Sequence, residues 1–224
     1  DIITIQREKR EAELRVLEFQ INPHFLYNTL SSIIWLSNAG KNAEVIRLTQ
    51  SLSDLFRISI SKGKEVIRIE DELKHVRSFL EIEGLRYPDE FAVVYDIDKK
   101  LLAYYTIKLI MQPIVENAVY HGIKKREDGH GEIRIQGMLE DGYVLLRVLD
   151  NGTSLSDEEI DAINAFLEDE QCRKEHNYGI GIRNVHDRIR LHYGRDYGIL
   201  FKKEDSYTVV ELKIPALKEP YEYL

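Results

Sequence analysis

Along the chain, apolar positions recur first at helical spacing and then at alternating, strand-like spacing. Residues 7–18 mix both charge signs with strong helix formers, and Leu14, Leu17 and Ile21 fall on one helical face. A second helical pattern runs over Ala43–Ser59, with Val45, Leu48, Leu52, Leu55 and Phe56 on one side and Lys62-Gly63-Lys64 closing it. Asn38-Ala39-Gly40 joins the two stretches, which predicts an antiparallel helical hairpin. Such a pair cannot bury its apolar faces alone, so pairing with a second copy into a four-helix bundle is expected.

Beyond Gly63 the pattern changes. Strands are predicted at Val66–Ile69, Ala92–Ile97, Glu132–Met138, Tyr143–Leu149, Ile199–Lys203 and Thr208–Ile214. Helices are predicted near Asp71–Arg86, Leu101–Tyr120, Asp157–Phe166 and Ile182–His192, with Ser156 and Glu159 forming a capping box for the third of these. Two strands follow one another twice, which favours an α+β sandwich over a repeating parallel array.

Composition narrows the class. The 224 residues carry 31 Lys+Arg against 39 Asp+Glu, a net charge of −8, and 43% are hydrophobic. That content supports real cores, and the acidic balance argues against direct nucleic-acid binding. A single cysteine, Cys172, excludes an internal disulfide and points to a reducing compartment. No run approaches the ~20 apolar residues of a membrane span. The chain starts at Asp1 without an initiator Met, so a piece cut from a longer protein is expected, its membrane segments lying outside it.

Four segments carry candidate chemistry. In Gln20–Leu30, Pro23 removes a helix donor and must kink a helix or start a new one with Asn22 as its cap, and His24 sits beside it with Asn28 one turn on. His24 reads either as an ordinary surface histidine or as a nucleophile, since an imidazole titrating near ~6.5 is largely neutral at pH 7. In Met111–Gly122, Glu116, Asn117 and Tyr120 cluster on a helix with His121 one turn beyond Asn117. An Asn oxygen there suits Mg2+, or the segment is a polar helix end capped by Gly122. Asp150-Asn151-Gly152 ends a strand, and Gly179-Ile180-Gly181 opens a helix, where backbone amides and the helix terminus favour an anion. Taken singly, these two are weak, since Asp-Asn-Gly is usually a turn. Lys124-Lys125-Arg126 reads as a solvated turn.

In order, the segments QINPHFLYNTL (20–30), LEIEGLRY (80–87), MQPIVENAVYHG (111–122) and GIGIRNVHDRIRLHYG (179–194) resemble those of a sensor histidine kinase of the LytS/YesM-like branch. The resemblance implies an α+β chain. Residues 1–62 would form a dimerisation and histidine-phosphotransfer hairpin, and 63–224 an α/β sandwich of the Bergerat ATP-binding type shared with gyrase, Hsp90 and MutL. It implies ATP and Mg2+ as cofactors, His24 as phospho-acceptor and Asn117 as Mg2+ ligand. Asp150 would accept from the adenine amino group and Gly152 would let the ring approach. Gly179 and Gly181 would shape the phosphate end of a lid over roughly 153–180, with His121 and Asn184 completing the nucleotide site. Asn28 would orient the His24 ring and Glu116 would act as a base.

Two departures stand out from that pattern. Ser154 occupies a position where the family commonly has a second glycine, and Phe25, as this branch generally has, follows the histidine in place of an acid. The implied activity is autophosphorylation of His24 and transfer to an aspartate of a response regulator receiver domain, by a homodimer on the cytoplasmic side of a bacterial membrane. A LytTR or AraC-type regulator would make any contact with DNA indirect. The rival readings are an ATP hydrolase in which Glu116 activates water, and a catalytically silent nucleotide-binding scaffold.

Overall fold

The computed structural model describes residues 23–59, 65–126, 130–169 and 180–220. Helices α1 (Pro23–Asn38) and α2 (Asn42–Ser59) form the hairpin, turning at Gly40, whose φ of +71° is glycine territory. Helix α1 is described from Pro23 onward; Asn22 and the lead-in stretch 7–21 lie outside the described residues. Strand β1 (Val66–Arg68) leads into α3 (Ile69–Arg86), and β2 (Phe91–Ile97) follows. Next come β3 (Tyr105–Ile107), α4 (Gln112–Asn117), β4 (Gly131–Glu140) and β5 (Tyr143–Asp150). The chain continues through α5 (Asp157–Glu168), α6 (Ile180–Tyr193), β6 (Gly198–Glu204) and β7 (Tyr207–Pro215).

Five strands form a mixed sheet in the order β2-β4-β5-β7-β6, with β2 parallel to β4 and every other pair antiparallel. Alternation sorts its faces. Ile133, Ile135, Val144, Leu146, Val148, Val210, Leu212, Ile199 and Phe201 are buried in one core with Val115, Val119, Ile163, Ile182, Val185 and Ile189 of the helices. The opposite face carries charged side chains among Leu145, Leu149 and Val209. There Arg147 donates across the register to Gln136 Oε1 (2.9 Å) and Glu211 Oε1 (3.1 Å), and Lys202 pairs with the same Glu211. The result is a sandwich of helices on a mixed sheet, the α+β arrangement expected from the alternation and the α/β sandwich that the resemblance implied.

All six predicted strands are present, shifted at their ends by no more than two residues, and the capping box joins Ser156 and Glu159 in both directions. One predicted helix is corrected. Leu101–Tyr120 is not continuous: a 3-10 turn at Lys99–Ala103 is followed by β3, which pairs with β1, and the helix starts only at Gln112. The apolar run hides the break because a short buried strand and a buried helix face look alike in hydropathy. What enforces it is Glu72 of α3. Its carboxylate is fully buried and accepts from Leu109 N–H (2.7 Å) and Met111 N–H (2.8 Å), holding Leu109 in a left-handed conformation at φ +58°.

The hairpin rests on α3. Arg47 and Ser51 of α2 both bond Glu81, at 2.9 and 2.8 Å, and Ser59 Oγ lies 2.9 Å from His75 Nε2. Burial pushes His75 down to about 4, so its ring stays neutral.

Replacing Glu72 with Ala would strand two buried amides, and should lower the unfolding free energy by roughly 2–4 kcal/mol. Urea titration followed by circular dichroism measures it; an unchanged midpoint would contradict the capping role.

Candidate functional site

The N-terminus of α4 has Pro113 in its first turn, where no donor is lost, and the helix places Glu116 and Asn117 on its last turn. Gln112 Nε2 donates to Glu116 Oε1 at 2.7 Å, while burial raises the carboxyl's pKa above its ordinary range despite that bond. The helix then widens into a π-turn over Ala118–Gly122, an irregularity often found at functional sites. Asn117 is half-buried and His121 exposed, so both can meet a ligand. Tyr120 turns inward and donates to Glu83 Oε1 (3.0 Å); burial, and then the Glu83 charge, raise its pKa.

Gly122 is not a left-handed helix cap, since its φ is −85°. A Cβ there would lie 2.8 Å from Asp150 Cγ and overlap Oδ1, and a Cβ on Gly152 would overlap the Gly122 backbone. Thr153 N–H closes the contact on Gly122 O at 3.2 Å. The end of β5 is thus wedged against the π-turn with no room for side chains. Asp150 is 5% exposed, accepts from Gly152 N–H (3.1 Å), and is pushed up to about 7 by burial. Asn151 pins the strand end, its Oδ1 accepting from Glu132 N–H at 2.6 Å, so Asp-Asn-Gly is more than a turn. Nor is the basic triplet simply solvated. Lys124 Nζ reaches Glu83 Oε2 at 2.8 Å and Arg126 donates to Asn151 O.

Gly181, in the first turn of α6, sits over Pro113, whose Cβ a glycine-to-alanine change would meet at 3.4 Å. The two helix starts therefore adjoin. Asn184 is exposed one turn on, and Gly179 lies outside the described residues. Arg183 ties the start of α6 to the end of α5, donating to Asp169 O (2.8 Å) and Phe166 O. The lid expected over 153–180 is corrected in its first half: α5 buries Ile160, Ile163 and Leu167, and Asn164 makes two hydrogen bonds with the Phe201 backbone of β6. Ser154 takes no left-handed conformation, so a side chain there brings no backbone strain.

His24 lies exposed in the first turn of α1, and Asn28 Nδ2 is 3.2 and 3.1 Å from its two ring nitrogens. Phe25 points inward against Phe79 of α3, ring centroids 5.4 Å apart.

The structure brings Asp150, Gly152, Asn117, His121 and Gly181 onto neighbouring turns around the end of β5 and the two ends of α4. It also adds residues that sequence reasoning did not select: Gly122, Glu83 and Arg183. Gly122 was legible only as a cap, because its close approach to Asp150 spans 28 residues of sequence. Chemically, a buried carboxylate beside a glycine floor can accept a hydrogen bond from a flat heterocycle, and an amide oxygen on an exposed turn can take a hard cation. Among the described residues no group of three or more His, Cys, Asp or Glu could hold a metal by itself.

Two family models match the chain, Histidine kinase over residues 12–91 and Histidine kinase-, DNA gyrase B-, and HSP90-like ATPase over residues 105–218. Sensor histidine kinase YesM of Bacillus subtilis (strain 168) is 34% identical, covering 94% of this chain and 34% of that protein. Sensor protein LytS of Streptococcus agalactiae serotype V is 32% identical, with 91% and 34% covered. The chain spans about a third of the length of these curated relatives. Among solved structures, a nucleotide-free catalytic domain of histidine kinase ThkA superposes with TM-score 0.53 at 15% identity, over 68% of this chain and 97% of that one. Histidine kinase ThkA in complex with response regulator protein TrrA gives 0.51 at 16%, over 95% and 64%. These two likenesses are of fold.

Because the folded Asp150 titrates near 7 against 3.8 for an ordinary Asp, its contribution to stability is fully present below the lower value and is lost as pH rises through 7. Asp150→Asn should abolish that loss, making the variant more stable than wild type by about 2–4 kcal/mol at pH 8 but not at pH 4. Paired melts at the two pH values test it, and equal differences would refute the burial argument. Gly122→Ala should cost about 1–3 kcal/mol through overpacking, read by the same melts.

Proposed function

The chain belongs to the histidine kinase family, and on that premise we propose that it phosphorylates its own His24 with ATP and passes the phosphoryl group to an aspartate of a response regulator receiver domain. The observation that carries this reading is the joint presence of the Asp150–Gly152–Gly122 wedge and an exposed imidazole beside Asn28 in one folded chain. In the reaction a ring nitrogen of His24 supplies the electron pair for the new N–P bond. The bond from the γ-phosphorus to its bridging oxygen breaks, ADP leaves with that pair, and the ring gives up a proton. Phosphoryl transfer asks mainly for in-line placement and charge neutralisation, so the protein's part is positioning.

In this reading Asp150 accepts from the adenine amino group and Gly152 lets the ring approach, while the close contact of Gly122 with Asp150 and Gly152 holds the carboxyl in place. Asn117 offers an amide oxygen on an accessible turn, a fit for Mg2+, which would neutralise phosphate charge when bound. In the same reading Gly179 and Gly181 would shape the phosphate end, with His121 and Asn184 completing the nucleotide site. Asn28 holds the imidazole's orientation, and Glu116, its carboxyl shifted toward the protonated form by burial, serves as orienting group or base. The division into a hairpin of 1–62 and a nucleotide-binding domain of 63–224 belongs to the same reading.

A homodimer is supported by the surface of the hairpin. Tyr27, Leu30, Ile34 and Trp35 of α1 and Ile46 of α2 are exposed, and a four-helix bundle with a second copy would cover them. The partner class follows from the phosphohistidine itself, which needs a carboxylate acceptor. The name of one structural neighbour, a histidine kinase with a response regulator protein, agrees with that. No described helix is long and apolar enough to cross a membrane. A membrane anchor belongs to the reading through segments beyond the chain, and places these residues on the cytoplasmic side.

Incubation with γ-labelled ATP and Mg2+ should leave an acid-labile, alkali-stable label. The label should vanish in His24→Ala and fall at least tenfold in Asn117→Ala. Undiminished label on His24→Ala would overturn the assignment, and steady phosphate release independent of His24 would establish a hydrolase instead.

A further inference from the structure

Five side chains from three separate segments close a ring between the phospho-acceptor turn and the nucleotide turn. Phe25, next to His24, packs on Phe79 with centroids 5.4 Å apart, and Phe79 meets Tyr120 edge-on at 6.3 Å. Tyr120, three residues past Asn117, donates to Glu83 Oε1 at 3.0 Å, and Glu83 pairs with Arg86. The Arg86 guanidinium then lies over the Phe25 ring, 5.9 Å from its centroid, and completes the ring. Lys124, also from the nucleotide side, bonds the second oxygen of Glu83 at 2.8 Å and lies 3.5 Å above the Tyr87 ring.

The chemistry of this cluster is not that of a surface salt bridge. Glu83 is fully buried and the Arg86 side chain is 6% exposed, so neither charge can be released from its partners without a large desolvation penalty. Buried ionic groups are poor stabilisers compared with apolar packing, but they tolerate few geometries. Glu83 fixes where the guanidinium lies, and from there its carbon is 5.9 Å from the centroid of the Phe25 ring and 5.1 Å from that of Tyr87. The contacts of α2 with α3 differ: Arg47 and Glu81 are both substantially exposed, a pair of little energetic weight.

We propose that Arg86, held by Glu83, is a positioning residue for phosphorylation of His24. It seats the first turn of α1, through Phe25, against the turn of the same chain that carries Asn117. The proposal rests on the reading of His24 as phospho-acceptor. It gives the apolar residue after the histidine a task, since Phe25 is the knob by which that turn is held. The LEIEGLRY segment, whose chemistry the nucleotide site does not use, becomes the wall between the two reacting parts.

The test uses the full chain and variants that preserve bulk: Arg86→Met, which leaves Glu83 bonded to Lys124 and Tyr120, Phe25→Leu, the double variant, and Arg86→Lys. Initial rates of phosphohistidine formation are measured against ATP concentration, with melting temperatures recorded in parallel. Arg86→Met and Phe25→Leu should each slow the rate at saturating ATP by roughly ten- to a hundredfold, with the KM for ATP within about twofold of wild type. The double variant should be no slower than the worse single one, because both remove one contact. Arg86→Lys keeps the charge beside Glu83 but loses the guanidinium that reaches the Phe25 ring, so it should restore the melting temperature and not the rate. Unchanged rates, additive losses, an ATP KM that rises in step with the rate loss, or full rescue by Lys would each overturn the proposal. A wild type that forms no phosphohistidine would instead refute the proposed function, and this inference with it.

Discussion

Helix α3 carries two carboxylates, Glu72 and Glu83, that are entirely removed from water, and a charge so placed must have its partners held in position. Glu72 uses the amides of Leu109 and Met111, so the strand-to-helix corner before α4 can bend in only one way. Glu83 uses Arg86, Tyr120 and Lys124, so the turn after α4 is held as well. The helix bearing Glu116 and Asn117 is therefore pinned at both ends by one neighbour. The same neighbour receives the hairpin through Phe79, Glu81 and His75. A helix that only filled space between hairpin and sheet would need neither carboxylate.

The second constraint is steric. Asp150 stands at the end of a strand clamped by Asn151, and the π-turn at Gly122 presses against it closely enough to exclude any side chain. This closeness removes water from the carboxylate and raises its pKa. A buried acid is costly to ionise in the folded protein, and the Gly152 amide offsets only part of that cost.

Several elements were legible in the sequence because their causes are local. Alternating apolar residues mark β4, β5 and β7, and the Ser156 and Glu159 pair marks the start of α5. Asn28 beside His24 follows from helical spacing alone. The break inside 101–120 was illegible, since its cause, Glu72, lies about 37 residues upstream in another element. The same holds for Lys124, which reads as a solvated lysine until Glu83 is brought to it from α3. Helix α5 read as part of a lid until Asn164 was found paired with the edge of β6.

By itself, the sequence determined the kinds of element and the hairpin followed by an α/β sandwich, because periodicity, capping and short motifs act over a few residues. Only the tertiary structure decided which buried charges meet, which glycines are needed for closeness rather than for turning, and how the histidine's turn is seated. Those outcomes depend on desolvation and excluded volume, and both are properties of the packed chain that no local stretch contains.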